Sequence, residues 1–173
     1  MNIRDATTAD LPALLALIEG AYRGDSARRG WTHEADLLGG QRTDRAALTA
    51  LLADPAQLML VACAEAAMVG CVRIGQAGPG LAQIGMLSVE PEAQAAGVGR
   101  QLLVAAEAAA ATRLGAGRTE LEVIRQRPEL IAWYVRRGYR VTGEERPFPH
   151  ADPRFGLPRR SDLVFAVLVK ELR

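Results

Sequence analysis

The stretch IGMLSVEPEAQAAGVGRQLL, residues 84–103, decides how the rest of the chain is read. Ile84 to Val89 forms a short apolar strand, and Glu90-Pro91 stops it. A loop of small and polar residues follows, and Gly97-Val98-Gly99 opens a long helix. Glycine brings backbone close to a ligand with no Cβ in the way. The first turn of a helix has N–H groups without partners and a partial positive charge, so it suits an anion such as a pyrophosphate. Strand, glycine turn and helix together make a candidate site for a phosphate-bearing cofactor.

Upstream, the apolar runs LMLVACAEA and MVGCVRIG flank a weak turn at Ala66-Ala67 and read as an antiparallel hairpin. Gly78-Pro79-Gly80 breaks the chain before the focal strand, which becomes the third member of a meander. Earlier still, Asn2–Asp5 begins a strand, and Thr7 to Asp10 has the form of a helix start. Leu11, Leu14, Leu15 and Ile18 recur at helical spacing until Gly24. Thr43-Asp44 caps a second helix with Leu48, Leu51 and Leu52 on one face.

Downstream, the helix from Gly97 carries Val98, Leu102, Leu103, Ala106 and Leu114 on its buried side and ends at Gly115 or Gly117. TELEVI, residues 119–124, alternates as a half-buried strand does. Pro128 suits the first turn of a helix running through Leu130, Ile131 and Tyr134 to Gly138. Residues 139–142 form a short strand and residues 162–170 a final one. Strands mixed with helices in this order argue for a mixed sheet covered by helices. Residues 23–44 and 143–160 show little periodicity, and long connections of that kind are functional or disordered.

Composition narrows the class. The 173 residues suffice for one domain, 1–173, and 49% hydrophobic with 24% charged residues fits a globular chain. Lys plus Arg is 21 against 20 Asp plus Glu, a balance that favours neither a nucleic-acid partner nor a membrane surface. Arg136-Arg137 and Arg159-Arg160 read as solvated faces. The N-terminus lacks a signal-peptide pattern and no run has bilayer length, so a cytoplasmic location is expected. Cys63 and Cys71 read as reduced and buried. His33 and His150 stand far apart without a Cys/His cluster, so no metal is expected.

Three segments in order resemble the GNAT superfamily of N-acetyltransferases. Gln94-Ala95-Ala96-Gly97-Val98-Gly99 is similar to the family's Q/R-x-x-G-x-G/A pattern, directly after a strand ending in LSV. Leu121-Glu122-Val123 precedes a helix, and residues 132–139, AWYVRRGY, resemble the A-x-Y-x-x-x-G-[FY] segment. The element order agrees along nearly the whole chain. The resemblance implies an α/β (α+β) fold, with a mixed, mostly antiparallel sheet of about seven strands flanked by about four helices. A dinucleotide fold fits less well, because Leu102 stands where a third glycine belongs and the preceding strands read as a meander.

The resemblance also implies acetyl-CoA as the acyl donor. Its pyrophosphate would sit on Gln94, Ala95, Ala96, Gly97, Val98, Gly99 and Arg100, and its pantetheine amides on Leu87, Ser88 and Val89, added like a strand. Tyr134 matches the tyrosine that protonates the departing CoA thiolate, and the competing reading is a tyrosine anchoring its helix in the core. Glu122 stands where some members carry a proposed base, with Glu120, Glu34 or a water-mediated base as competitors. The family often has an asparagine between the LEV strand and the tyrosine helix, where this chain has Arg125-Gln126-Arg127-Pro128.

In the family the two long connections flank the acceptor side. Trp31, Thr32, Glu34, Gln41, Arg42, Phe148 and Phe155 are therefore acceptor candidates, or in the aromatic cases pins that hold loops to the core. The implied acceptor is a small-molecule or peptide amine, and a homodimer stays open. The alternative is a CoA-binding regulatory module without turnover.

Overall fold

The computed structural model describes residues 1–172, apart from the side chain of Ala95. In chain order its elements are β1 (Asn2–Asp5), α1 (Leu11–Tyr22), the single turn α2 (Gly24–Ala27), β2 (Leu38–Gly39) and α3 (Arg45–Ala53). The meander β3 (Gln57–Ala64), β4 (Ala67–Gly78) and β5 (Leu81–Val89) follows. Then come α4 (Val98–Leu114), β6 (Arg118–Ile124), α5 (Pro128–Val135), β7 (Arg140–Pro147), β8 (Leu157–Pro158) and β9 (Val164–Glu171). Seven strands make one sheet in the order β1-β3-β4-β5-β6-β9-β7, and all neighbours are antiparallel except β5 and β6.

Alternation along β3 shows why its apolar run is continuous. Leu60 and Ala62 face a core shared with Val98, Leu102, Leu103 and Ala106 of α4, whereas Met59 and Val61 face Leu14, Ile18 and Leu48 of α1 and α3. A strand covered on both faces needs apolar residues at every position, while a half-solvated strand would alternate. Asp44 caps α3 by accepting from Ala47 N–H at 2.8 Å. Gly115 ends α4 in the left-handed region at φ 63°.

Several details depart from the sequence expectations. The focal strand starts at Leu81, the loop after it is a 3-10 helix (Pro91–Ala96), and Gly97 caps α4 from outside it. The hairpin turns at Glu65-Ala66, and α5 stops at Val135, short of Gly138. β7 runs to Pro147, so the first five residues of one supposedly irregular segment, 143–147, are sheet. Its alternation is invisible because nearly every side chain on this edge strand is exposed. Both cysteines are free thiols, but only Cys71 is buried; Cys63 pairs with Met68 across the hairpin and is half exposed.

The two long connections meet. Leu38 and Gly39 pair with Pro158 and Leu157, and Arg159 N–H donates to Leu37 O at 2.9 Å. Gly156 makes this approach feasible: it sits at φ 107°, and a Cβ there would lie 3.0 Å from Gly39 O. Leu38, Ile124, Phe148 and Leu163 form a small separate core beneath the junction.

Candidate active site

The parallel pair β5–β6 lasts only from Leu81, Ala82 and Gln83 opposite Arg118, Thr119 and Glu120. Beyond Gln83 the strands part. On its other side β5 is irregular too: Gly85 pairs with Arg73 and Ser88 with Cys71, leaving Met86 and Leu87 opposite Val72 alone. This is a β-bulge, which bends the strand and frees backbone from the ladder. Met86 takes φ 48°, a strained value for a side chain of its size. Ser88 Oγ donates to Met86 O at 3.1 Å, and the Cys71 thiol points at the same carbonyl at 3.7 Å. Those contacts hold the bulge. Ser88 is thus committed to shaping the strand through its side chain, and burial pushes the Cys71 thiol up to about 12.

Two clefts open where β5 and β6 diverge. The first, about 240 Å³, is lined by Leu87, Ser88, Val89, Gln94, Gly97, Gly99 and Arg100, together with Tyr22 of α1 and one stripe of α5. Gln101 N–H donates to Gly97 O at 3.2 Å, so the N–H groups of Val98, Gly99 and Arg100 precede the first helical bond of α4. No side chain caps that helix start. Gly97 adopts φ 76°, a region that favours glycine, and a Cβ there would meet nothing within 4 Å. The expected residues divide by role. Val98 is buried in the core and offers only its backbone, Ala96 is exposed outside the cleft lining, and the side chain of Ala95 lies outside what is described.

Gln94 has a second task. Its Oε1 accepts from Trp31 N–H at 2.8 Å, fastening the first long connection to the strand-helix turn. Trp31 and Thr32 consequently line the first cleft, next to Gly99 and Arg100, and neither lines the second. Arg137 also lines the first cleft, which corrects its reading as part of a solvated face; its neighbour Arg136 is exposed. The Arg137 guanidinium lies 3.5 Å over the Trp133 ring, donates to Trp133 O at 2.8 Å, and leaves Nε buried without a partner. Leu130, Trp133, Tyr134 and Arg137 are spaced as one helical stripe, a signal present in the sequence but hidden by the adjacent Arg136.

The second cleft, about 440 Å³, lies between the loops and the splayed strands. Glu34, Arg42, Glu122, Phe148 and Phe155 all line it. Glu34 is 7% exposed and bridges two arginines that are 6% exposed each: Arg23 Nη1 donates to it at 2.6 Å and Arg127 Nη1 at 3.2 Å. Arg127, at the position where the family often has asparagine, also donates to Thr32 Oγ1 at 2.7 Å. It therefore ties the first connection to the start of α5. Arg42 lies 5.1 Å over the Tyr22 ring, its backbone N–H held by Glu19 at 2.7 Å. Gln41 bonds to Asp44 at 3.3 Å and does not line either cleft. Phe148, 5% exposed and 5.4 Å from Phe165, pins its loop.

Glu120 and Glu122 share Arg146, whose Nη1 donates to them at 2.8 and 2.6 Å. Glu120 is buried outside the cleft lining, while Glu122 lines the cleft and its Oε2 makes no hydrogen bond among the described residues.

Tyr134 lines both clefts. Its ring packs edge-on to Trp133 at 4.9 Å and Tyr139 at 5.7 Å. Its hydroxyl has no hydrogen-bond partner among the described residues, whereas Tyr139 is bound to Thr119 at 3.1 Å and Tyr22 to Leu87 O at 3.1 Å. Burial raises the Tyr134 phenol well above its ordinary range, with Tyr22 adding to the shift, so it stays protonated. Among the described residues no group of His, Cys, Asp and Glu could hold a metal, and no helix is long and apolar enough to cross a membrane.

The chain matches known proteins in family and in fold. Residues 33–151 match the family model described as "Acetyltransferase (GNAT) domain". No curated protein matches the chain in sequence. Among solved structures, the ribosomal-protein-alanine N-acetyltransferase of Brucella melitensis superposes with a TM-score of 0.74 at 22% identity, over 99% of this chain and 100% of that one. An N-acetyltransferase of Staphylococcus aureus gives 0.73 at 17% identity, over 99% and 98%. The paia N-acetyltransferase of Thermoplasma acidophilum in complex with coenzyme A gives 0.65 at 17%, over 98% of each chain.

Proposed function

The chain belongs to the GNAT acetyltransferase family, and from that premise we propose that it moves an acetyl group from acetyl-CoA to a primary amine in a ternary complex. The observation that carries the proposal is Tyr134, a buried and unpartnered phenol standing at the seam of two clefts. A group there faces donor and acceptor together, which is what direct transfer needs.

The residues of the first cleft fit acetyl-CoA. The uncapped N–H groups of Val98, Gly99 and Arg100 and the guanidinium of Arg137, which lines the cleft, offer donors to a pyrophosphate. The backbone of Leu87, Ser88 and Val89, beyond the bulge, lines the same cleft and offers strand bonds to an extended amide chain. Acetyl-CoA supplies a thioester, whose carbonyl carbon accepts the amine as the C–S bond breaks. Tyr134 gives its proton to the sulfur as negative charge develops there, and the second proton released by the acylated nitrogen restores the phenol. Glu122, through its free Oε2, receives the ammonium and takes its proton directly or through a water; Arg146 holds the carboxylate in place. Tyr22 fixes the bulged strand by bonding Leu87 O.

Incubation with acetyl-CoA and pooled amines should release CoA thiol, and Tyr134→Phe should slow release by well over about tenfold while leaving CoA affinity intact. An unchanged rate removes Tyr134 from the acid role. Saturable CoA binding with no turnover on any amine would identify a CoA-binding module instead.

A further inference from the structure

The charges around the second cleft are sorted. Of the three guanidinium groups that line it, Arg23 and Arg127 share Glu34 and Arg42 pairs with no carboxylate; the one further carboxylate, the exposed Glu129, stands 3.8 Å from Arg127 Nε. Conversely, three carboxylates, Glu120, Glu122 and Glu144, share a single guanidinium, Arg146. The cationic group is carried by the loop after α1 and the start of α5, and the anionic group by β6 and β7. Arg73 lies outside the cleft lining, bound to Gln57 at 2.8 Å and Gln83 at 3.1 Å, and is close enough to feel the charges of both Arg42 and Glu122.

The excess positive charge is costly as it stands. Arg23 and Arg127 are both buried to more than nine-tenths, and each leaves Nε without an acceptor. Uncompensated charge out of water is destabilising unless something balances it. The Arg42 guanidinium makes no ion pair among the described residues and instead rests on Tyr22, half-buried at the cleft. On the other side, Glu122 keeps one carboxylate oxygen unoccupied. A ligand carrying both a negative and a positive group would balance both ends, and a simple amine would balance only one.

We propose that the acceptor is an amino acid: its carboxylate lies on Arg42, within the field of the Arg23–Glu34–Arg127 cluster, and its ammonium on Glu122. The assignment rests on the acetyl-transfer reading for the identity of the amine as nucleophile. It goes further in naming the group attached to that amine. A guanidinium binds carboxylate through two parallel N–H bonds and so fixes orientation as well as supplying affinity. Tyr134 lines the same cleft, so an ammonium held at Glu122 shares one cavity with the phenol that serves the leaving group. A cavity of about 440 Å³ is large enough for an amino acid and its side chain.

The test is a titration of the CoA-saturated protein with the protein L-amino acids, with β-alanine and γ-aminobutyrate, with the amide of each, and with short peptides that have free N-termini. At least one amino acid should bind more than about tenfold tighter than its own amide, since one charge-assisted contact is worth about that factor or more. In Arg42→Gln that ratio should fall to near one, and Arg42→Lys should recover part of it. Arg42 is half-buried and has no ion-pair partner to orphan, so both variants should fold, checked by unchanged melting temperature and CoA affinity. The proposal fails if no amino acid binds, if amides match acids, if a peptide N-terminus outbinds every amino acid, or if the ratio survives Arg42→Gln. Titration needs no turnover, so the two readings separate. An amino acid that binds without ever releasing CoA thiol refutes acetyl transfer and keeps this site; release driven equally by carboxylate-free amines does the reverse.

Discussion

Removing the Glu34 carboxylate should damage the protein more than removing either arginine it joins. In the wild-type chain one carboxylate balances two guanidinium groups at 2.6 and 3.2 Å, all three being more than nine-tenths buried. Glu34→Ala leaves two buried cations whose one remaining counter-charge is the exposed Glu129, 3.8 Å from Arg127 Nε. Orphaning a buried ion typically costs about 3–5 kcal/mol. Against a total stability of about 5–15 kcal/mol that is a large share, and it corresponds to a fall in melting temperature of about 6–20 °C. Arg127→Met is different, because Glu34 keeps Arg23; the loss should be nearer 1–2 kcal/mol, roughly the value of the bonds to Glu34 and Thr32. The double variant should then be more stable than Glu34→Ala alone, since it removes one of the stranded cations. Urea unfolding of the four proteins measures all of this. Glu34→Ala within about 1 kcal/mol of wild type, or Arg127→Met as harmful as Glu34→Ala, would show that solvent or loop movement relieves the charge and that the cluster is not a buried unit.

Other outcomes follow from the same geometry. Gly97→Ala should cost about 1 kcal/mol through its φ of 76° alone, because nothing crowds the site; kinetics should show a raised KM for acetyl-CoA with the KM for the acceptor unchanged. Arg137→Ala should also raise the acetyl-CoA KM, about tenfold if it meets a phosphate, and should do so less at high salt. Stability should decline above about pH 9. Burial holds the protons on Tyr134, Tyr139 and Cys71 to higher pH in the folded chain than in the unfolded one, with Cys71 moved from 9.0 to about 12. The unfolded chain therefore loses protons first, so these groups contribute fully below their ordinary values and progressively less as pH rises. Cys71→Val should flatten the decline between pH 9 and 12 in thermal melts; an unchanged slope would mean the thiol is not protected.

Residues whose effect is local were legible without coordinates. The meander followed from apolar runs and turn residues, the turn into α4 from glycines at a helix start, and the family from three short segments in order. Tyr134 came from such a segment, and the structure brings it to the junction of both clefts. Arg137 and Trp133 went unread because a helical stripe becomes a binding surface only when a cleft opens along it. Trp31 belongs to the same cleft for a related reason: a glutamine 63 residues away holds its backbone, and no local pattern encodes that bond.

The sequence by itself determined the order of the elements, the double-sided core of the central strands and the place of the uncapped helix start. Each depends on spacing between near neighbours, which hydrophobic burial and backbone hydrogen bonding read directly. Tertiary structure alone decided the bulge at Met86, the pairing of the two long connections, and the separation of positive from negative charge around the second cleft. Those features arise where segments 93 residues apart, such as Arg127 and Glu34, meet out of water. There the cost of an unbalanced charge depends on every neighbour at once, and no run of adjacent residues records it.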